Sequence, residues 1–288
     1  MKKILMNNMQ NILMFLPSLI GLVAFFIVPM IKTVYYSFTE SMVNTTFVGI
    51  ENYEKLLDNS AFLLAINNTV RFYIIALPLI IFLPFLLAIL FNTKILLFRL
   101  FNTLTYICII IPSASLMIFL NILFSSNGLL SEFIFSTMGY QTTNLFSTEF
   151  SFILLVILFL FKYGGINYLI YSVVISRIPN NQFEAARLDG ASWFHLLKYI
   201  IFPYTIPTVI IISVLSILNS YKIYREAFLI GGYYPHDSIY LLQHFINNNF
   251  VNMNYTRLCC IATLILVISI SLFCLVIYIF KNVKRRYI

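Results

Sequence analysis

The chain has 288 residues, of which 61% are hydrophobic and only 10% charged, and its formal net charge is +8. A water-soluble domain of this length needs far more polar surface, so the composition excludes an ordinary soluble fold and leaves an integral membrane protein. The positive balance needs no nucleic acid to explain it, because basic residues beside a bilayer meet anionic lipid headgroups.

A helix crossing ~30 Å of hydrocarbon takes roughly 20 residues, whereas a barrel strand takes about 10. The apolar runs here have helical length and predict an all-α integral membrane protein with six transmembrane helices. The expected spans are Ile12 to Tyr36, Val70 to Phe91, Leu100 to Phe124, Phe150 to Ser176, Tyr204 to Ile230 and Leu258 to Phe280. The first follows Lys2 and Lys3 as a signal peptide does, but it is too long for an h-region and lacks a small-x-small cleavage site, so it reads as retained. An even number of spans puts both termini on one side. Placing them in the cytoplasm leaves Lys2, Lys3, Lys94, Arg99, Arg177, Arg187, Lys198, Lys281, Lys284, Arg285 and Arg286 inside, against Lys55, Arg71 and Arg257 outside. This bias sets the expected orientation.

In chain order, the outer loop from Phe38 to Thr69 holds a short helix beginning at Gly49, with Tyr53, Leu56 and Leu57 on one side as a lid. Span two carries Pro78 and Pro84, and span three carries Pro112 followed by Ser113 and Ser115. Proline removes a backbone donor and frees a carbonyl, so these helices either line an interior path or use proline in simple packing. Span four is interrupted by Lys162-Tyr-Gly-Gly-Ile-Asn167. A lysine and an asparagine at membrane depth either belong to a translocation path or, for Lys162, snorkel to an outer boundary. The sequence from Asn219 to Glu226 puts Lys222 and Glu226 at i and i+4, a spacing that allows them to pair, with Arg225 pointing elsewhere toward a partner chain or a polar cavity. Lys162, Asn167, Tyr221 and Arg225 are the candidate path residues.

Beyond span five, His236 and His244 lack a third ligand at helical spacing, so no metal site is expected. Cys108, Cys259, Cys260 and Cys274 all fall in apolar spans and read as packing residues. The phosphate cradle G-x-x-x-x-G-K-[ST] is missing, as are H-E-x-x-H and G-x-S-x-G. The energy source is therefore expected on another chain.

The most informative segment is a polar island, Arg177 to Pro203, between spans four and five. Pro179 stops the incoming span and Asn181 is placed to cap a two-turn helix whose third residue is Glu184, an asparagine version of the capping box. Ala185 and Ala186 keep that helix thin. Gly190 permits a sharp reversal, Ser192 caps a second helix, and Pro203 closes it before the next span. The product is a helix-turn-helix protruding into the cytoplasm, a surface for docking something outside the bilayer.

The string Glu184-Ala185-Ala186-x-x-Asp189-Gly190-Ala191, with Pro179 before it and Ile201, Pro203 and Pro207 after it, resembles the EAA loop of ABC-importer permeases. Asp-Gly-Ala-Ser-Trp and the preceding Ile-Pro are similar to the carbohydrate-uptake branch, of the maltose and glycerol-phosphate permease type. The likeness runs from about Thr69 to Phe280 and includes Arg225 to Gly232. The family's Thr-x-Gly-Gly-Pro turn is here replaced by Ile230-Gly-Gly-Tyr-Tyr-Pro235.

The resemblance implies a type I permease divided into a first span with outer loop (1–68), a permease core (69–281) and a basic tail (282–288). It implies a non-catalytic chain in a prokaryotic plasma membrane, paired as a heterodimer with a second, homologous permease. An ATPase dimer binding ATP and Mg and an extracytoplasmic solute-binding protein complete the expected assembly, which imports a sugar or oligosaccharide. Glu184, Ala185, Ala186, Asp189, Gly190, Ala191, Trp193 and Pro203 are then the ATPase-coupling residues, with Glu184 offered to a basic residue of the ATPase. The alternatives are a stand-alone secondary transporter, which calls for symmetric halves and ion-coupling carboxylates, and a membrane-embedded enzyme. Neither accounts for the island.

Overall fold

In the computed structural model the described residues are 15–92, 95–125, 128–138 and 144–287. Lys2, Lys3 and Lys94 lie outside them, and the side chains of Arg99, Cys108, Lys281, Lys284, Arg285 and Arg286 are likewise not described. Among the described residues, six helices are long and apolar enough to cross a membrane. Their lipid-facing and interior faces separate sharply: on one helix Ile74 is 68% exposed while Ala76, two residues on, is fully buried. That pattern suits a bilayer, where helices associate through close packing of their inner faces.

Helix α1 (Phe15–Ser37) contains a π turn at Val23–Ile27, followed by Pro29. α2 (Glu51–Leu57) buries Leu56 but leaves Leu57 55% exposed, so the two leucines do not share a face as expected. Adjacent helical residues point ~100° apart. α3 (Ser60–Asn92) starts ten residues earlier than the predicted span, because Asn59 Oδ1 accepts the Phe62 N–H at 3.0 Å and Phe62, Ala65 and Phe72 form a buried stripe. Pro78 and Pro84 lie inside this helix without ending it.

The third span departs most from expectation. Instead of one helix over Leu100 to Phe124 there are two, α4 (Ile95–Ile110) and α5 (Ser113–Phe124), separated at Ile111 and Pro112, which has extended ψ of 145°. The proline ring disfavours the helical region for Ile111 and withholds the N–H that would continue the ladder. α6 (Leu129–Met138) follows. α7 (Phe150–Ser176) runs uninterrupted through Lys162 to Asn167, contrary to the expected break. At Gly164 the helix lies against α3, since a Cβ there would make ordinary van der Waals contact with Ile80 Cδ1 at 3.5 Å.

The chain then forms α8 (Asn180–Leu188), α9 (Trp193–Leu196), α10 (Phe202–Ser220), α11 (Tyr224–Gly231), α12 (Leu242–Val251) and α13 (Tyr255–Tyr287). A π turn at Leu197–Ile201 joins α9 to α10 and a 3-10 turn at Tyr221–Ile223 joins α10 to α11, so Trp193–Gly231 is one modulated helical run. Pro203 therefore does not close the second island helix. The widened π turn just before it accommodates the ring and the missing N–H, and the helix continues.

The chain packs into two compact units. One joins Met1–Phe62 to Ile246–Leu275. In it Ser37 is a hub: Tyr53 Oη donates to its hydroxyl at 2.7 Å, while Asn52 Nδ2 and Cys260 Sγ donate to its carbonyl at 3.1 and 3.4 Å. Cys259 and Cys260 are buried and Cys274 is exposed. The other unit, Leu63–Phe245 with Val276–Ile288, has two apolar clusters. Phe72, Ala76 and Ile80 of α3 pack on Leu155 and Phe159 of α7 and on Ile223. Phe85, Ala88 and Ile89 pack on Tyr168, Tyr171 and Ile175, together with Ile178, Ile201 and Ile212.

Candidate functional site: the elbow and the buried charges

The island folds as an elbow. Pro179, with ψ of 132°, is the N-cap of α8, and no side chain caps the helix. The helix thus begins one residue before Asn181, which lies inside its first turn, and the expected capping box with Glu184 does not form. Fixed φ at Pro179 and acceptance of the Gln182 N–H by its carbonyl (3.1 Å) start the helix instead.

The C-terminus of α8 is a Schellman motif. Ala191 N–H donates to Ala186 O at 2.9 Å and Gly190 N–H to Arg187 O at 3.0 Å, with Gly190 at φ +78°. This accounts for the spacing Ala186-x-x-Asp189-Gly190-Ala191 in backbone terms. No neighbouring atom lies within 4 Å of a Cβ built at Gly190, so the demand for glycine comes from the dihedral and not from crowding. Ser192 stands at the N-cap of α9 in extended conformation, but its hydroxyl meets His195 Nδ1 at 2.8 Å and caps no backbone N–H.

The elbow is anchored on one side and open on the other. Phe183 packs into the second apolar cluster, and Gln182 Nε2 donates to Tyr204 Oη of α10 at 2.7 Å. On the open side Glu184, Ala185, Asp189 and Gly190 are exposed, Leu188 is 89% exposed and Trp193 54%. Ala186 and Ala191 are half-buried. A groove of about 420 Å³ runs beside it, lined by Phe183, Glu184, Arg187 and Trp193 together with Ile89 and Ile178 of the core. A groove of mixed apolar and polar lining, with one carboxylate and one guanidinium, can hold a protein partner.

A second polar constellation lies inside the helix bundle. Lys162 Nζ contacts Glu226 Oε1 and donates to Ser113 Oγ, and the Ser113 hydroxyl bonds Glu226 Oε1 at 2.7 Å. The expected Lys222–Glu226 pair is therefore replaced by Lys162–Glu226, and Lys222 Nζ donates to Asn219 Oδ1 at 3.2 Å. The 3-10 turn advances ~120° per residue and not ~100°, which swings Lys222 off the Glu226 face.

The other candidate path residues are not brought to the same point. Asn167 is 1% exposed, with Nδ2 donating to Ile80 O at 3.0 Å and Ser216 Oγ at 3.2 Å, so it ties α3, α7 and α10 together. Tyr221 is half-buried, its ring 6.2 Å edge-on from Tyr73, and Arg225 is exposed. Ser113 escaped sequence reasoning as a site residue. Its only signal was its place directly after Pro112.

Outside the spans, His236 Nδ1 meets Ser238 Oγ at 2.9 Å. His244 is fully buried on α12, its Nδ1 accepting the Leu241 N–H at 3.1 Å and its ring edge-on to Tyr224. Burial pushes this imidazole down to about 4.

Comparison with known proteins adds a family and an architecture. Residues 80–286 match the family model described as binding-protein-dependent transport system inner membrane component. The chain is 26% identical over 266 residues to the arabinooligosaccharides transport system permease protein AraP of Bacillus subtilis (strain 168), covering 89% of this chain and 84% of that one. It is 26% identical over 232 residues to the probable starch degradation products transport system permease protein AmyD of Thermoanaerobacterium thermosulfurigenes, covering 78% of this chain and 77% of the relative. Among solved structures, a chain of a bacterial ABC transporter involved in the import of the acidic polysaccharide alginate superposes with TM-score 0.79 at 19% identity, covering 98% of each chain.

Proposed function

Because the chain belongs to the family of binding-protein-dependent transport system inner membrane components, we propose that it is the permease subunit of an ATP-driven importer that takes up a sugar or oligosaccharide. It is a multi-pass protein of the prokaryotic plasma membrane, and a binding protein outside the membrane delivers its solute. Both termini lie in the cytoplasm, where the elbow docks on an ATPase dimer. Those partner subunits bind ATP and Mg. A second, homologous permease completes the pathway, and Lys162, Tyr221 and Arg225 contribute to it while Asn167 holds the surrounding helices in place.

The elbow carries this reading. Glu184, Ala185 and Ala186 sit on α8, Asp189, Gly190 and Ala191 form the Schellman turn that ends it, and the helix is anchored to α10 through Gln182 and Tyr204. Force applied to Leu188 or Trp193 by a moving ATPase is thereby passed to span five, which is the requirement for alternating access driven from outside the bilayer. Pro203 serves this transmission by marking where the elbow's second helix becomes the span.

The test is co-expression with the neighbouring genes, affinity purification through this chain and reconstitution into liposomes. The expected result is recovery of a second permease and an ATPase, and ATP-dependent uptake of labelled arabinotriose or maltotriose in the presence of the binding protein. Recovery of this chain alone, transporting without ATP, would establish a self-contained carrier instead.

A further inference from the structure

A lysine and a glutamate inside a helix bundle at membrane depth are costly, and a pair of apolar side chains of equal volume would hold the same helices with less desolvation. Their use here has to be sought in what an ion pair does and an apolar contact does not, which is to separate readily into water. Resting on the importer reading above, we propose that Ser113, Lys162 and Glu226 form an ionic latch that closes across the helix break at Pro112 and the 3-10 turn at Tyr221–Ile223, and opens during each transport cycle.

Three observations meet at this point. The first is location. Ser113 is the first residue after the Pro112 break, and Glu226 lies in the first turn of α11, directly after the 3-10 turn Tyr221–Ile223. The break interrupts the α-helical hydrogen-bond ladder and the 3-10 turn changes its pattern, and each is a place where the following segment can swing on a few dihedrals. Lys162 comes from the uninterrupted α7 between them. The latch thus ties the segments that follow two backbone irregularities to one uninterrupted helix.

The second is saturation. Both contacts to the carboxylate fall on Oε1, whereas Glu226 Oε2, in a residue only 1% exposed, meets no protein donor among the described residues. A strut evolved for permanence fills both oxygens, because a bare buried carboxylate oxygen is expensive. With only one of its oxygens held by protein donors, the carboxylate gives up less on separating into water, which serves both oxygens. The third is access. Lys162 keeps 20% of its side chain exposed against 1% for Glu226, so the pair is sealed on the carboxylate side and open on the lysine side.

In a background with Cys108, Cys259, Cys260 and Cys274 replaced by alanine, Ser113→Cys is assembled into the complete transporter and reacted with a small water-soluble maleimide. Its labelling rate is expected to differ at least fivefold between the nucleotide-free complex and the complex trapped with ATP and vanadate. Equal rates overturn the latch. The double variant Lys162→Met/Glu226→Leu provides the second arm, and decides alone should Ser113→Cys not assemble. It is expected to insert and co-purify normally but to lose at least tenfold in uptake of labelled arabinotriose or maltotriose. Normal uptake, or failure to insert, reduces the pair to packing and overturns the proposal. Wild-type complex with no ATP-dependent uptake removes the importer reading and the latch together, whereas wild-type uptake with unchanged labelling removes the latch alone.

Discussion

The elbow and the buried charge cluster occupy the same compact unit yet are built by opposite means. The turns that shape the elbow's backbone lie within Pro179–Tyr204, and its decisive feature is a backbone dihedral, the φ of +78° at Gly190. The cluster gathers Ser113, Lys162 and Glu226 from three helices, and its decisive feature is charge taken out of water. A site made of local backbone geometry tolerates almost any change of its neighbours but not of its glycine. A site made of long-range electrostatics tolerates paired changes and punishes single ones.

The largest expected effect tests the backbone side. Gly190→Val places a β-branched residue at positive φ, and ATP-dependent uptake should fall at least ~100-fold while membrane insertion, read by detergent extraction and gel filtration, stays intact. Normal uptake would detach the elbow from transport. On the electrostatic side, Glu226→Ala leaves Lys162 without its counter-charge and should cost about 3 kcal/mol or more in a thermal-shift measurement, with most of it recovered in Lys162→Met/Glu226→Leu. A double variant as unstable as the single one would contradict the rule of paired changes.

A third expectation concerns a buried titratable group outside both sites. The His244 pKa is lowered on folding, so the protein has its full stability above about pH 6.5 and loses it as pH falls toward 4, by up to about 3 kcal/mol. His244→Phe should flatten thermal-shift midpoints over that window. Next in size, Glu184→Lys reverses a charge on the open rim and should weaken co-purification of the ATPase by roughly tenfold, or about 1.4 kcal/mol. Unchanged recovery would remove the charge contact. The smallest change is expected from Ser192→Ala, below about 0.5 kcal/mol in a thermal shift, since its hydroxyl meets only the exposed His195 ring and caps no backbone group.

The same contrast explains what is legible in the sequence. Six spans follow from apolar run length, and the elbow follows from Pro179, the two alanines and Gly190, because both signals are local. Gly190 is readable since glycine alone takes that conformation cheaply. Asn181 has the chemistry of a cap but does not act as one, because Pro179 starts the helix one residue sooner. Pro203 has the chemistry of a stop but does not end the helix, because a π turn has already absorbed the ring. Helical spacing offers Glu226 only Lys222, four residues away, since local periodicity is all that a single chain displays. Its real partner is 64 positions distant, brought in by the packing of α7. The break at Pro112 is visible as a proline but not as a helix end, since Pro78, Pro84 and Pro112 look alike in sequence and, of the three, only Pro112 separates two helices.

The π turn at Leu197–Ile201 also fixes an azimuth. Inserting one residue's worth of rotation, ~100°, between the elbow and span five decides which compass bearing around the span axis the elbow faces. A straight α-helix through the same stretch would aim Trp193 and Leu188 about a quarter-turn away from their present heading. The bearing at which this chain meets its neighbours is thus set by a single wide turn of backbone, far smaller than the surface it directs.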